Sequence, residues 1–289
     1  MKNKADFYRP TDIKDTLFPI EVIYRNCEEF GFVTSMHWHE HIQIYEVTNG
    51  VGFLHCNAKR YDISQGDIVI INPNELHRLE NVRSLAFRLI TVNLSFISSS
   101  KYDSCQLKYF EPIINNQIIF LNYVNKDTSL LSCLNAIFEE YTNKSKGFEL
   151  AVKAQIYNFI VLLLRKDVYI CINEKESIRR TSQMVKYQKI FEYIEEHISE
   201  NLDISTISKM FYISDSHFCR LFKQITGKTF TEYINTLRIE IASRLFLESE
   251  LSITEIAYKC GFNDANYFCR LIKKYKKMAP TQLRTNLRN

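Results

Sequence analysis

Up to about residue 95 the chain alternates short runs of β-branched and aromatic residues with turn residues. His41-Ile42-Gln43-Ile44-Tyr45-Glu46-Val47 gives way to Thr48-Asn49-Gly50, and Asp67-Ile68-Val69-Ile70-Ile71 to Asn72-Pro73-Asn74. Such runs, ended by Gly or Asn-Pro, read as strands, and several at close spacing predict a β-sandwich or barrel over about 15–95. From Asp127 the period becomes helical. Leu130, Leu134, Ile137, Phe138 and Tyr141 share one helical face, and Leu150, Ala154, Tyr157, Ile160 and Leu164 another. Two helices are therefore predicted over about 127–168, separated at Gly147. The charged stretch from Asn173 to Arg180 reads as part of a linker over 171–184, and everything from 185 to 289 is helical in pattern. A first domain over 1–170 and a second over 185–289 follow.

The second domain contains an internal repeat. Phe218-Cys219-Arg220-Leu221-Phe222-Lys223 returns fifty residues later as Phe268-Cys269-Arg270-Leu271-Ile272-Lys273. A short helical pattern precedes each copy, Ile204 to Phe211 and Ile253 to Cys260. Ser252-Ile253-Thr254-Glu255 is a capping box, and Asp203 can cap the first copy. Short turns follow, Tyr212-Ile213 and Gly261-Phe262-Asn263, after which Ser214 and Asp264 are placed to cap a second helix. Helix, tight turn and helix make a helix-turn-helix, here present twice.

On the second helix of copy one, Phe218, Leu221, Phe222 and Ile225 form the inward stripe, while Ser216, Cys219, Arg220 and Lys223 project outward. In copy two Phe268, Leu271 and Ile272 point inward, and Ala265, Asn266, Cys269, Arg270, Lys273 and Lys274 outward. The outward set suits double-stranded DNA. Arg can bond guanine O6 and N7 together, Asn can do the same for adenine, and Lys neutralises phosphates. A plain helical hairpin with solvated charges would give one such copy by chance far more readily than two.

At these residues the sequence resembles the AraC/XylS family of bacterial transcription regulators. The string Ile256-Ala257, Gly261-Phe262, Tyr267-Phe268, Arg270 and Lys273-Lys274, closed by Pro280 and Arg284, matches the family signature. The family usually has Gly where Lys277 stands, whereas the first copy keeps Gly227, so the turn after the second recognition helix is expected to differ slightly. The resemblance implies a seven-helix module in which a long helix, about Thr229 to Leu247, holds the two helix-turn-helices apart. Both recognition helices would enter successive major-groove segments about 34 Å apart. It places Ser216, Cys219 and Arg220 in copy one, and Asn266, Cys269 and Arg270 in copy two, at base-facing sites. Ser216 and Cys219 are short, so copy one is expected to read bases less strongly.

The first domain carries a polar row. Three of the seven histidines lie within His37-Trp38-His39-Glu40-His41, and His55 and His77 follow. On a strand, positions 37, 39, 41, 43 and 45 would present His, His, His, Gln and Tyr on one face. Such a row is costly in a closed core unless it is hydrogen-bonded, lines water or binds something. With Gly66-Asp67, Pro73 and His77 it resembles the cupin barrels that precede many AraC-type DNA-binding domains. Metal-binding cupins use two His, a Glu and a distant third His. Here that would be His37, His39 and His77, but Gln43 stands at the Glu position and brings no charge. The expected reading is a pocket for a small polar effector formed by His37, His39, His41, Gln43, Tyr45 and His77. Structural histidines and a bound transition metal are the alternatives. No cofactor and no catalytic residue are expected, since no general base stands beyond these groups and Glu46 falls on the opposite strand face.

Composition narrows the function classes. At about 100–200 residues per domain, 289 residues suffice for two. Seven glycines, with no GxGxxG string and no GxxxxGK before Ser or Thr, exclude Gly-rich phosphate loops. Eight cysteines without a CxxC pair point to reduced, packing thiols. The longest strongly apolar run, Phe159 to Leu164, is far short of the roughly 20 residues that span a bilayer, so a soluble, cytoplasmic protein without membrane contact is expected. The net charge of +4 hides an asymmetry: from Glu176 onward there are 18 Lys and Arg against 13 Asp and Glu, and over Lys259 to Asn289 the count is 8 against 1. The fold expected is a cupin-like β-barrel with following helices, then an all-α double helix-turn-helix. Together they read as an effector-responsive regulator, expected to activate and to pair as a homodimer through a helix such as Glu149 to Arg165. RNA polymerase is expected as a further partner. An effector-free regulator, or a metal-dependent cupin enzyme with a fused DNA-binding module, are the alternatives.

Overall fold

The computed structural model describes residues 13, 15, 17–27, 31–34, 36–57, 59–98 and 103–288. Two compact units divide them, Tyr8–Gln188 and Lys189–Asn289. In the first, strands β1 (Ile20–Cys27), β2 (Gly31–Phe32), β3 (Ile42–Cys56), β4 (Lys59–Ser64), β5 (Ile68–Ile71), β6 (His77–Val92) and β8 (Tyr123–Val124) form one antiparallel sheet. Its order is β1-β6-β3-β5-β8, with β2 also on β6 and β4 also on β3. β7 (Ile118–Phe120) pairs separately with β9 (Tyr169–Cys171).

β3 and β6 run against each other from Ile42 opposite Val92 to Cys56 opposite His77. Thr48-Asn49-Gly50, expected to end a strand, instead lies inside β3, where the register slips between Val47 and Gly52. Gly50 takes a φ of 77°, and a Cβ there would meet Ser84 O at 2.2 Å. The turn chemistry was spent on a bulge, which bends the long strand without ending it. Ile68 and Ile70 of β5 pack outward with Ile42, Ile44 and Ile90, while Val69 and Ile71 pack inward with Tyr45, Val47, Leu54 and Phe87. All four β5 side chains are fully buried, as a strand covered on both faces requires.

The outward layer is helical. After α1 (Leu94–Ile97) and a π-helical turn, Gln106–Phe110, that runs into α2 (Glu111–Ile114), α3 (Thr128–Asn143) and α4 (Phe148–Arg165) pack on the sheet. Asp127 caps α3 by accepting the Leu130 N–H at 3.0 Å, and Leu130, Leu134 and Ile137 are buried as expected. α4 is turned from its expected face. Val152, Ile156, Phe159, Ile160 and Leu163 are buried, whereas Leu150 is 75% exposed and Ala154 is exposed. This helix is apolar on most of its circumference, so periodicity alone does not select a face.

The expected linker is largely helix. α5 (Glu174–Glu196) begins within it, with Asn173 accepting the Glu176 N–H at 2.9 Å and Glu176 pairing with Arg179. The charges that suggested a solvated connection sit where a helix start favours carboxylates and i,i+3 pairs. Ser177 Oγ donates to Asn115 O at 2.6 Å, fixing this end of α5 to its own unit.

In the second unit α5 is followed by α6 (Ile204–Met210), α7 (Asp215–Thr226), α8 (Phe230–Glu248), α9 (Ile253–Lys259), α10 (Ala265–Lys276) and α11 (Pro280–Arg288). α8 is the expected long helix, opened by a capping box between Thr229 and Glu232. Its Phe230 and Tyr233 join Phe191, Phe218 and Phe222 in an aromatic cluster under the first repeat. Its Ile239, Ala242 and Phe246 join Ile256, Phe262, Phe268 and Ile272 under the second.

Candidate functional site

Two regions gather the sequence-predicted residues, one in each unit. In the helical unit, Ser214 caps α7 by accepting the His217 N–H, and Asp264 caps α10 by accepting the Asn266 N–H at 2.7 Å. Phe218, Phe222 and Ile225 are buried on α7, and Phe268, Leu271 and Ile272 on α10. Ser216, Cys219, Arg220 and Lys223 are exposed together on the other face of α7. Asn266, Arg270, Lys273 and Lys274 are likewise exposed on α10. Cys269 departs from its expected place: it is half-buried and packs on the second repeat's core, whereas Cys219 is exposed. Arg220 Nη2 lies 3.3 Å from His217 Nδ1, and the Arg270 guanidinium lies 5.8 Å from the Tyr267 ring centre.

The turns repeat as well. Tyr212 and Gly261 take left-handed φ values of 55° and 87° at equivalent places after α6 and α9. Gly227 and Lys277 do the same, at 72° and 60°, after α7 and α10. The expected difference at Lys277 is therefore absent, because its N–H reaches Lys273 O at 3.1 Å as the Gly227 N–H reaches Lys223 O at 2.8 Å. The cap geometry imposes the conformation, and a non-glycine residue adopts it at a cost of about 1–2 kcal/mol.

In the barrel unit, His37, His39 and His77 converge. They are 3%, 1% and 1% exposed, and one ring nitrogen from each lies within 4.8 Å of the others. The polar row is not one strand. His37 forms an isolated bridge with His77, each N–H on the other's carbonyl at 2.9 Å, and β3 starts only at Ile42. Chain direction changes between them, so His39 is placed by the bend rather than by pleat alternation. His39 Nδ1 lies 3.1 Å from His41 O, and His77 Nδ1 2.8 Å from Glu75 O. Each ring nitrogen facing a carbonyl must carry the proton, which leaves Nε2 as the lone-pair nitrogen. His39 Nε2 meets no partner at hydrogen-bonding distance among the described residues, although Gln43 is near enough to favour the charged ring slightly. Burial, the dominant cause, pushes His39 down from its ordinary 6.5 to about 4, so the ring is neutral near pH 7.

Gln43 accepts from Tyr45 OH at 2.8 Å and donates to Thr91 Oγ1 at 3.3 Å, so these two expected residues sit in one buried network. His41 stacks at 6.1 Å on His39 and is half-buried, at the edge of the group. Glu46 faces the other way, as expected, and pairs with Arg88.

Residues 18–160 match the family model described as the AraC-like ligand binding domain, and residues 207–286 match that of a helix-turn-helix domain. The chain belongs to the AraC family of transcription regulators. It is 25% identical over 256 residues to the uncharacterized HTH-type transcriptional regulator YdeC of Bacillus subtilis (strain 168), covering 86% of this chain and 85% of that one. It is also 25% identical over 251 residues to the HTH-type transcriptional activator RhaS of Enterobacter sp. (strain 638), covering 86% of each. Among solved structures, ToxT of Vibrio cholerae with a bound unsaturated fatty acid aligns over 92% of this chain and 94% of its own at 19% identity, with a TM-score of 0.43. This AraC-family regulator binds DNA through its helix-turn-helix unit and carries a ligand-binding domain in the barrel unit. No helix among the described residues is long and apolar enough to cross a membrane.

Sequence reading missed one polar centre of this AraC-family regulator. Glu75, 1% exposed, lies in the connection between β5 and β6. Its carboxylate accepts from Asn57 Nδ2 at 2.9 Å, from Asn72 N–H at 2.9 Å and Nδ2 at 3.1 Å, from Asn122 Nδ2 at 2.6 Å, and from Arg180 at 3.2 Å. Asn72-Pro73-Asn74-Glu75 reads as a solvated turn, and Arg180 lies in the expected linker. No local pattern joins residues 105 apart in sequence.

Proposed function

We propose that the protein is an effector-responsive transcription activator that inserts α7 and α10 into successive major-groove segments of double-stranded DNA. The duplicated recognition helices, each with a buried apolar stripe and an exposed polar face, carry this reading. Arg270 and Asn266 read bases in the second segment, Ser216, Cys219 and Arg220 read them more weakly in the first, and Lys223, Lys273 and Lys274 hold phosphates. Cys269, half-buried, contributes through packing more than through a base edge. Selecting DNA from a random library with the full chain tests this. Two conserved elements about one helical turn apart are expected, and a single element would overturn the two-helix reading. Activation is supported by the activator RhaS among the relatives. Pairing as a homodimer through the barrel unit, contact with RNA polymerase and action by binding rather than by catalysis complete the proposal.

The effector occupies the barrel group of His37, His39, His41, Gln43, Tyr45 and His77. Binding to one arrangement of the protein more tightly shifts its population, and DNA affinity with it. The three converging imidazoles favour a second reading, a transition-metal ion as part or all of the effector. Neutral imidazoles suit zinc, copper or nickel, and backbone carbonyls orient two of the rings as such ligands are usually oriented. Gln43, held by Tyr45 and Thr91, is not placed as a charged fourth donor. Metal analysis and zinc calorimetry on the full chain separate the readings. Stoichiometric metal lost in His39→Ala favours the ion, and its absence leaves the small polar effector.

A further inference from the structure

We propose that Tyr267 is the positioning residue for Arg270, itself anchored by Asn235 of α8, and that this anchor sharpens base preference in the second DNA segment. The proposal rests on the reading of Arg270 as a base-contacting side chain, and every residue in it belongs to the helical unit.

In the second recognition helix Phe268 fills the core and Arg270 faces outward, but Tyr267 belongs to neither set. It is an exposed residue in the first turn of α10, three positions before Arg270. Residues at that spacing are neighbours on a helix surface. The Arg270 guanidinium lies 5.8 Å from the Tyr267 ring centre, within the range over which a cation is drawn to an aromatic face. An exposed ring free to change rotamer would hold nothing in place. Two contacts fix this one. Its hydroxyl oxygen accepts from Asn235 Nδ2 at 3.1 Å, and the buried Phe262 ring meets it edge-on, with centres 6.3 Å apart.

Asn235 is a costly choice where it stands. It is buried in the interior of α8, where an amide lowers helix propensity and is tolerated out of water only when hydrogen-bonded. Its bond to Tyr267 joins residues 32 apart in sequence and ties the scaffold helix to the DNA-facing surface. A guanidinium resting against a fixed ring has less freedom to lose when it reaches a guanine. Contact with a ring also takes up none of its five N–H donors, so the pair needed for O6 and N7 stays available.

The first repeat is built differently at the same two places. His217 stands where Tyr267 does, and Arg220 where Arg270 does. There the imidazole Nδ1 lies 3.3 Å from Arg220 Nη2, which engages one of the guanidinium donors. Among the described residues no hydrogen bond ties the His217 ring to α8. The two helices share Phe-Cys-Arg-Leu, yet only the second arginine leans on an anchored ring.

The experiment uses the full chain, a duplex selected with it, copies of that duplex changed at single base pairs, and a random duplex. Arg270→Ala first identifies the base pair at which preference relaxes. Tyr267→Leu should lower preference at that pair about threefold or more, while affinity for the random duplex changes less than about twofold. Tyr267→Phe and Asn235→Ala cut the same hydrogen bond. Each should lower the preference about twofold, and the double variant no further. In the Arg270→Ala background Tyr267→Leu should add nothing. Hydrogen exchange of the α10 amides reports whether the helix is intact; if Tyr267→Leu loosens it, Tyr267→Phe, which keeps the ring, decides. Unchanged preference in the deciding variant, equal weakening on random DNA, or a further loss in the Arg270→Ala background overturns the positioning role. Additive losses in the double variant reject Asn235 as the anchor. If Arg270→Ala leaves every preference intact, base reading by Arg270 falls and its positioning by Tyr267 falls with it. If Arg270→Ala relaxes preference and the Tyr267 variants do not, the positioning role alone falls.

Discussion

The two helix-turn-helix repeats solve one backbone problem with different residues. Each needs a left-handed residue after its first helix and another after its recognition helix. The first repeat places Tyr212 and then Gly227, and the second Gly261 and then Lys277. At Gly261 glycine is required for a reason beyond φ. A Cβ on Gly261 would come within 2.7–2.8 Å of three backbone atoms of Ser199, whereas Tyr212 is 94% exposed. The same conformation is thus a packing constraint in one repeat and a local strain in the other.

The largest test of that contrast is Gly261→Ala. It should cost about 2–5 kcal/mol of stability, strain and backbone clash together, by chemical denaturation. Tyr212→Ala should stay within about 0.5 kcal/mol. Equal losses at the two sites would end the distinction. Base reading comes next. Arg270→Ala should cost about 1–3 kcal/mol on selected DNA and relax preference at one base pair. Arg220→Ala should cost less, because its guanidinium is already beside His217 and its neighbours Ser216 and Cys219 are short. The reverse order would make copy one the principal reader, and equal loss on random DNA would make Arg270 a phosphate contact.

A smaller effect is expected at the second left-handed position. Lys277→Gly should raise stability by about 1 kcal/mol, seen as a higher melting temperature, while Gly227→Ala lowers it by a similar amount. No gain at Lys277 would mean that its side chain earns its place by contacts that offset the strain. The smallest effects are electrostatic. Lys223→Ala, Lys273→Ala and Lys274→Ala should each lower the slope of log affinity against log salt by about 0.9, with little change in sequence preference. An unchanged slope removes that lysine from the phosphate contacts.

Legibility followed the range of the interactions. The repeat, its caps and its inward stripes are local, set within three or four residues, and Asp203, Ser214, Ser252 and Asp264 all cap as their spacing implies. The face of α4 was not legible, because apolar residues surround most of that helix and only the sheet beneath it chooses Val152 and Ile156 over Leu150 and Ala154. Nor was α5, whose charged start resembles a linker until Asn173 and Ser177 are seen to be engaged. In the barrel, the histidines were visible as a row, but His77 joins His37 and His39 across a strand connection rather than along a strand.

By itself the sequence determined the architecture, the family and the outward chemistry of both recognition helices, because each rests on short-range periodicity and on capping groups a few residues from their targets. Only the tertiary structure decided which thiol is half-buried, that Gly261 leaves no room for a Cβ, and that Glu75 meets Arg180 in the barrel unit. Those are questions of what occupies the space beside a residue. Burial removes water as the alternative partner, so a carboxylate, an imidazole or a missing Cβ takes its meaning from neighbours that sequence distance does not identify.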